Sequence, residues 1–228
     1  MSMASTSPDS LHQLAYEGDF EAVKVKVIMN NKALTETDES GRILLHWAAS
    51  GGRTELVRWL LEHNSPVDPL DESKWTPLII ACSAGHEDVV RLLIGAGAQI
   101  NACTDQGRSG LLYACSRNRD KIVKLLLDEH ADINLQDKLG ASPLHRAASC
   151  GHLKVLHVMF DYSNQLDLNA QDQCKNTPLH LACEDGQVEV IKMLVEAGAN
   201  KFIENKEEKK PLDLAKPEVV RIVREWFE

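Results

Sequence analysis

The chain has 228 residues, 43% of them hydrophobic and 26% charged, enough to bury a sizeable core and incompatible with global disorder. Its 34 acidic residues outnumber 25 Lys and Arg, a formal charge of −9, so a nucleic-acid binder, which needs clustered cations to neutralise phosphates, is not expected. The start, "MSMASTSPDS", lacks a basic segment followed by an apolar run, and apolar stretches such as "PLIIAC" are too short to span a bilayer; the expectation is a soluble, reduced, intracellular chain without a membrane partner.

Residues 1–8 read as a polar tail, and from residue 9 onward the chain repeats itself. A degenerate first copy, about 9–37, places Leu11-His12 before "QLAYEG". The next carries "ILLHWAA" from Ile43 within 38–70, and then "TPLIIAC" from Thr76 within 71–103. "SGLLYAC" from Ser109 lies in 104–136, and "SPLHRAA" from Ser142 in 137–171. "TPLHLAC" from Thr177 lies in 172–204, and "KPLDLAK" from Lys210 in 205–228. The steps between these positions are 33, 33, 33, 35 and 33 residues.

Each part of a copy has a physical reason. A hydroxyl at the helix start caps free N–H groups, and proline next to it loses no hydrogen bond. Small pairs such as Ala48-Ala49 and Ala147-Ala148 let helices approach closely. Gly52, Gly85, Gly151 and Gly186 mark a turn into a second helix, in which Val188, Ile191, Leu194 and Val195 recur at helical spacing and are expected to face the stack. Gly97 and Gly198 end such helices. One copy cannot bury its own apolar face, so the copies must stack. The expected fold class is all-α: one domain over 9–228, a solenoid of seven helix-turn-helix repeats with β-turn fingers, capped at both ends.

Departures from the period are informative. The first copy lacks Thr-Pro and the last has Asp213 for His, so both read as caps with a polar outer face. "KPEVVRIVREWFE" reads as a closing helix, with Trp226 and Phe227 covering the last repeat. Two extra residues within 160–172 are expected to lengthen one loop. The fourth copy has neither Pro nor His and is expected to be the weakest-capped middle repeat.

His180, Cys183, Glu184 and Asp185 invite a catalytic reading. Yet His12, His46 and His145 stand in phase with His180, and a residue locked to a structural period is expected to bond backbone at a repeat junction. His86 and His152 come after turn glycines in the same way. No HExxH, CxxC, GxSxG, P-loop or GxGxxG occurs, so no catalytic, metal or cofactor residue is assigned. Cys82, Cys115 and Cys183 fall at a packing position usually held by Ala and are expected to be buried. "LACED", residues 181–185, approaches the L-x-C-x-E pattern that binds retinoblastoma-type pocket proteins, with Asp185 where that pattern has Glu.

What remains is a surface. Glu39, Arg42, Glu72, Trp75, Asp105, Arg108 and Lys138 fall on expected finger tips, and Arg117, Arg146, Glu184 and Asp185 on variable positions of first helices. With Trp47 and Tyr113 they make a mixed-charge track with embedded aromatics on the concave side, suited to a protein partner.

The period and the T-P-L-H phrase resemble the ankyrin repeat. From about residue 11 onward the chain is similar to the gankyrin-type proteins of the proteasome regulatory particle. "FIENKEEKKPLDLAK", "RILLHWAASGGRTELV", "ACSRNRDKIVKLLL" and "LHRAASCGHLKVLHVM" carry that resemblance. It implies a monomeric, non-enzymatic assembly chaperone whose concave face grips the C-terminal domain of one base ATPase subunit. Arg42 and Arg117, read as exposed variable positions, would meet acidic groups; Glu39, Asp71 and Glu72 would meet basic ones. The resemblance also implies cytoplasm and nucleus. As alternative partners it brings a cyclin-dependent kinase, retinoblastoma protein and a ubiquitin ligase, which would make the chain a cell-cycle regulator.

Overall fold

In a computed structural model, residues 10–228 are described; the expected 1–8 tail lies outside them. Among the described residues there are thirteen α-helices and two short 3-10 turns, with no strand. Contacts gather them into two units, one ending at Asp105 and the other running from Gln106 to Glu228.

The first unit holds helix pairs α1 (Leu11–Glu17) with α2 (Phe20–Met29), α3 (Leu44–Ser50) with α4 (Thr54–Glu62), and α5 (Pro77–Ala84) with α6 (Glu87–Gly95). The second holds α7 (Gly110–Ser116) with α8 (Asp120–Asp128), α9 (Pro143–Ser149) with α10 (Leu153–Phe160), and α11 (Pro178–Glu184) with α12 (Val188–Glu196). It ends in a 3-10 turn (Pro211–Leu214) and α13 (Pro217–Phe227). Within each unit the first helices stack on one another, α1 on α3 on α5 and α7 on α9 on α11, with a second layer of second helices behind.

The small residues explain the close stacking: Ala48, Ala49, Ala147, Ala148 and Ala182 are fully buried. Cys82, Cys115 and Cys183 are fully buried as expected, and burial pushes the Cys183 thiol up to about 12, so it stays protonated. All six cysteines are free thiols. In α12 the stack is met by Val190, Ile191 and Leu194; Val188 and Val195, expected there, are only half-buried. Each large apolar side chain so buried contributes roughly 1.5–3 kcal/mol.

Caps form as the hydroxyls predict. The Thr76 hydroxyl accepts from the Ile79 N–H at 3.2 Å and the Ser109 hydroxyl from Leu112 N–H at 3.2 Å. The expected glycines stand at the helix-helix turns, Gly85 for example with φ +95°.

Two end features differ from expectation, the missing first helix of the last copy and the outer face of α2, while the closing helix packs on α12. The seventh copy has a single 3-10 turn in place of a first α-helix; Ala215 is extended, and so is Lys216, which Pro217 biases away from the helical region. In α13 the fully buried residue is Val223, while Trp226 and Phe227 are half-buried. At the other end α2 presents Val25, Ile28 and Met29 to solvent, so the outer face of the first repeat is apolar there rather than polar.

Between helix pairs the chain makes fingers. Their tips are joined by main-chain hydrogen bonds: Glu72 N–H to Ser40 O at 3.0 Å and Asp105 N–H to Ser73 O at 2.9 Å in the first unit. In the second unit Lys138 N–H bonds Gln106 O, Gln173 N–H bonds Leu139 O, and Lys206 N–H bonds Cys174 O. Gly140 shows how close the fingers run: its φ is +77°, and a Cβ there would lie 2.8 Å from the Gln173 nitrogen.

Candidate functional site

The periodic histidines are structural bridges. His145 Nδ1 accepts the Ser142 N–H at 3.1 Å, which leaves the proton on Nε2 to donate to Asn176 O at 3.0 Å, on the next finger. His180 does the same between Thr177 N–H and Lys209 O, and His46 between Ile43 N–H and the Pro69 and Trp75 carbonyls. All three are fully buried. Burial drives their pKa below the ordinary histidine value, although the carbonyls that accept from Nε2 push the other way. In the last copy the Asp213 carboxylate replaces Nδ1, accepting the Lys210 N–H at 2.9 Å. A second set of side chains stands just after the turn glycines. His86 and His152 approach the Ser50 and Ser116 carbonyls at 3.0 and 3.1 Å, and Gln187 and Arg53 donate to the Ser149 and Tyr16 carbonyls. The His180 neighbourhood is therefore committed to backbone. Among the described residues no group of three His, Cys, Asp or Glu could hold a metal ion.

"LACED" is helical. Cys183 is fully buried, and Leu181 is half-buried. A linear motif cannot offer a buried cysteine while α11 is folded.

The fingers carry a recurrent device that sequence reading did not pick out. Five of them begin with an acid or amide, and in each the first side-chain oxygen caps the finger's own turn. Asp71 Oδ1 accepts from Ser73 and Trp75 N–H, and Asp137 Oδ1 from Leu139 and Ala141 N–H. In Asp38, Asp71 and Asp137 the second oxygen holds a cationic or N–H group. Asp38 Oδ2 takes the Trp47 indole at 2.8 Å. Asp71 Oδ2 takes Arg42 Nε at 2.9 Å, and the Arg42 guanidinium lies 5.6 Å over the Trp47 ring. Asp137 Oδ2 is shared by Arg146 at 2.6 Å and Arg108 at 3.5 Å. Burial works to raise the Asp137 carboxyl, but Arg146 and two N–H groups outweigh it and hold it below the usual carboxylate value. Asp38 is likewise held low against burial, by N–H groups and the Trp47 indole.

The residues of the sequence-chosen track differ in exposure. In the first unit Glu39 and Glu72 are exposed, and Arg42, Trp47, Trp75 and Asp105 are half-buried. Asp71 is only 7% exposed, with both oxygens occupied, so it orients Arg42 instead of meeting a partner itself. Arg42 is correspondingly not the open surface position that the sequence suggests. In the second unit Arg108, Tyr113 and Arg146 are half-buried, and Arg117, Lys138, Glu184 and Asp185 are exposed. Arg117 forms no ion pair among the described residues. Asp185 accepts from the Ser149 hydroxyl. The phase argument that explains the histidines would have found the finger acids too, since Asp38, Asp71, Asp137, Asp172 and Asn205 share one register.

Comparison with known proteins agrees with this architecture. The family described as ankyrin repeats (3 copies) matches residues 11–103 and 96–172, and ankyrin repeats (many copies) matches 159–215. The chain belongs to the ankyrin-repeat family, whose domains typically serve as non-catalytic protein-interaction modules. Over 55 residues it is 43% identical to the 26S proteasome non-ATPase regulatory subunit 10 of Homo sapiens, and equally so to that of Mus musculus. That match spans 24% of this chain and about a quarter of the length of those relatives. Among solved structures, the ankyrin repeat domain of Bcl-3, a member of the IkappaB family, superposes with TM-score 0.82 at 25% identity, covering 96% of this chain and 100% of that one. The human ASB11 ankyrin repeat domain gives 0.83 at 25% identity over 96% and 97%.

Proposed function

We propose that this ankyrin-repeat protein is a non-catalytic assembly chaperone of the proteasome regulatory particle, acting in cytoplasm and nucleus. It binds the C-terminal domain of a base ATPase subunit through its fingers and first helices. The 55-residue likeness to a regulatory subunit of the 26S proteasome supports the partner. One structural observation supports the face: buried carboxylates hold guanidinium groups in place on the finger side of each unit, Asp71 for Arg42 and Asp137 for Arg108 and Arg146. An arginine already fixed by packing loses less conformational freedom when it meets a partner's carboxylate. The two terminal nitrogens of Arg42 make no hydrogen bond among the described residues.

The test is a pull-down from cell extract with the chain as bait, followed by binding of the purified ATPase domain. Arg117→Glu is the clean variant, because Arg117 is exposed and forms no ion pair among the described residues. It is expected to weaken the Kd by about tenfold or more, ~1.4 kcal/mol, without moving the unfolding midpoint. Recovery of a kinase or a pocket protein without proteasome subunits would overturn the assignment.

A further inference from the structure

Five fingers can be compared within the two units, and four of them fill the second side-chain atom of the lead residue from inside the chain. The donors come from two register positions, nine residues after the lead residue or twenty-nine before it. Trp47 reaches Asp38 from the first, Arg42 reaches Asp71 from the second, and Arg146 and Arg108 reach Asp137 from both. In the last finger the Nδ2 of Asn205 donates to Asn176, again twenty-nine residues earlier. The finger of the sixth copy differs. Asp172 Oδ1 caps its turn as usual, accepting from Cys174 and Asn176 N–H at 2.8 Å each. Its Oδ2 has no hydrogen-bond or ion-pair partner among the described residues. The reason is in the sequence. The two supplying register positions hold Leu181 and, because of the two-residue insertion, Ala141; neither side chain can donate.

We propose that Asp172 is a recognition residue for an arginine side chain of the protein partner, which takes the place that Arg146 and Arg108 occupy at Asp137. The neighbouring fingers set the chemistry: three of the groups that meet the second oxygen at this register are guanidinium groups, two hydrogen-bonded and one ion-paired. Half-buried Leu181 and buried Ala141 bring no polar competitor to these register positions, and a planar guanidinium fits a carboxylate better than an ammonium does. This inference rests on the reading of the finger face as the partner face.

The experiment uses the full chain. Asp172→Asn is the variant, and Asn205 shows that an amide supports a finger: its Oδ1 accepts from Glu207 and Lys209 N–H just as Asp172 does from its own turn. Acetyl-arginine amide is titrated against the protein by NMR, with acetyl-citrulline amide as the uncharged control of the same shape. The expected result is saturable shifts at Asp172 and Leu181 with arginine, none with citrulline, and none in Asp172→Asn. A second variant, Leu181→Arg, copies Arg146; it should raise the thermal midpoint relative to Leu181→Arg/Asp172→Asn and abolish the arginine shifts. Equal shifts with citrulline, or shifts that persist in Asp172→Asn, overturn the proposal. Binding of the ATPase domain is measured in parallel, with about a tenfold loss expected for Asp172→Asn. If that domain fails to bind wild type, the chaperone reading falls, while the arginine titration still decides this one.

Discussion

The fifth and sixth repeats and the third and fourth solve the same problem in different ways. In all four a hydroxyl caps the first helix. In the fifth and sixth, His145 and His180 also take the N-cap N–H and tie it to a carbonyl of the next finger. The third and fourth place Ile79 and Leu112 at that position, buried at 1% and 2% exposure, and rely on packing and the cap alone. The imidazole is thus a connector between repeats and is not required for the helix itself. The expectation that the fourth repeat is the weakest-capped agrees with its chemistry only in part: it lacks the bridge, but Ser109 retains the cap.

Removing a bridge should have the largest effect. His145→Ala leaves the Ser142 N–H and the Asn176 carbonyl without their partner in a buried site, and it opens a cavity; about 2–4 kcal/mol of unfolding free energy should be lost. Urea denaturation measures this, and a loss below about 1 kcal/mol would mean that the bridge is decorative.

Acid should act on the same repeats more gently. Protonation of Nδ1 is incompatible with accepting an N–H, and burial lowers the folded-state pKa of His46, His145 and His180. The unfolded chain therefore binds more protons below about pH 6.5. Stability is full above that pH and falls as pH drops toward the folded-state pKa values, by at most about 1.4 kcal/mol per pH unit for each imidazole. Urea midpoints between about pH 7.5 and 5 should show this slope, and His145→Ala should flatten it; an unchanged slope in the variant would disconnect acid sensitivity from the bridges.

The smallest change probes the repeats that lack an imidazole. Ser109→Ala removes the cap where no histidine supports it and should cost about 1 kcal/mol. If hydrogen exchange showed no faster opening at α7, the fourth repeat would be held by packing alone.

The fold was legible because it is periodic. Thr76, Pro77, Gly85 and the histidines recur in phase, and each recurrence has one physical reading. The proposed partner face was legible in part. Charge and variability singled out Arg42, Arg117 and Glu72, but they also singled out Asp71, which is buried and orients Arg42. Exposure cannot be read from residue type when a short acid folds back on its own turn. Asp172 was missed for a related reason. What distinguishes it is the lack of a donor at two distant register positions, and an insertion shifts one of them out of step. The apolar outer face of α2 was hidden as well, since alternating "KVKVIM" reads the same whether or not another element covers it.

The rungs of the finger ladder are main-chain bonds: Ser40 O to Glu72 N–H, Leu139 O to Gln173 N–H and Cys174 O to Lys206 N–H. They ask nothing of the side chains of Glu39, Glu72, Lys138 or Cys174. Those tips can be rewritten by point mutation while the scaffold beneath keeps its form. A lineage of such chains can therefore drift from one partner to another through a series of folded, functional intermediates, changing its vocabulary without changing its grammar.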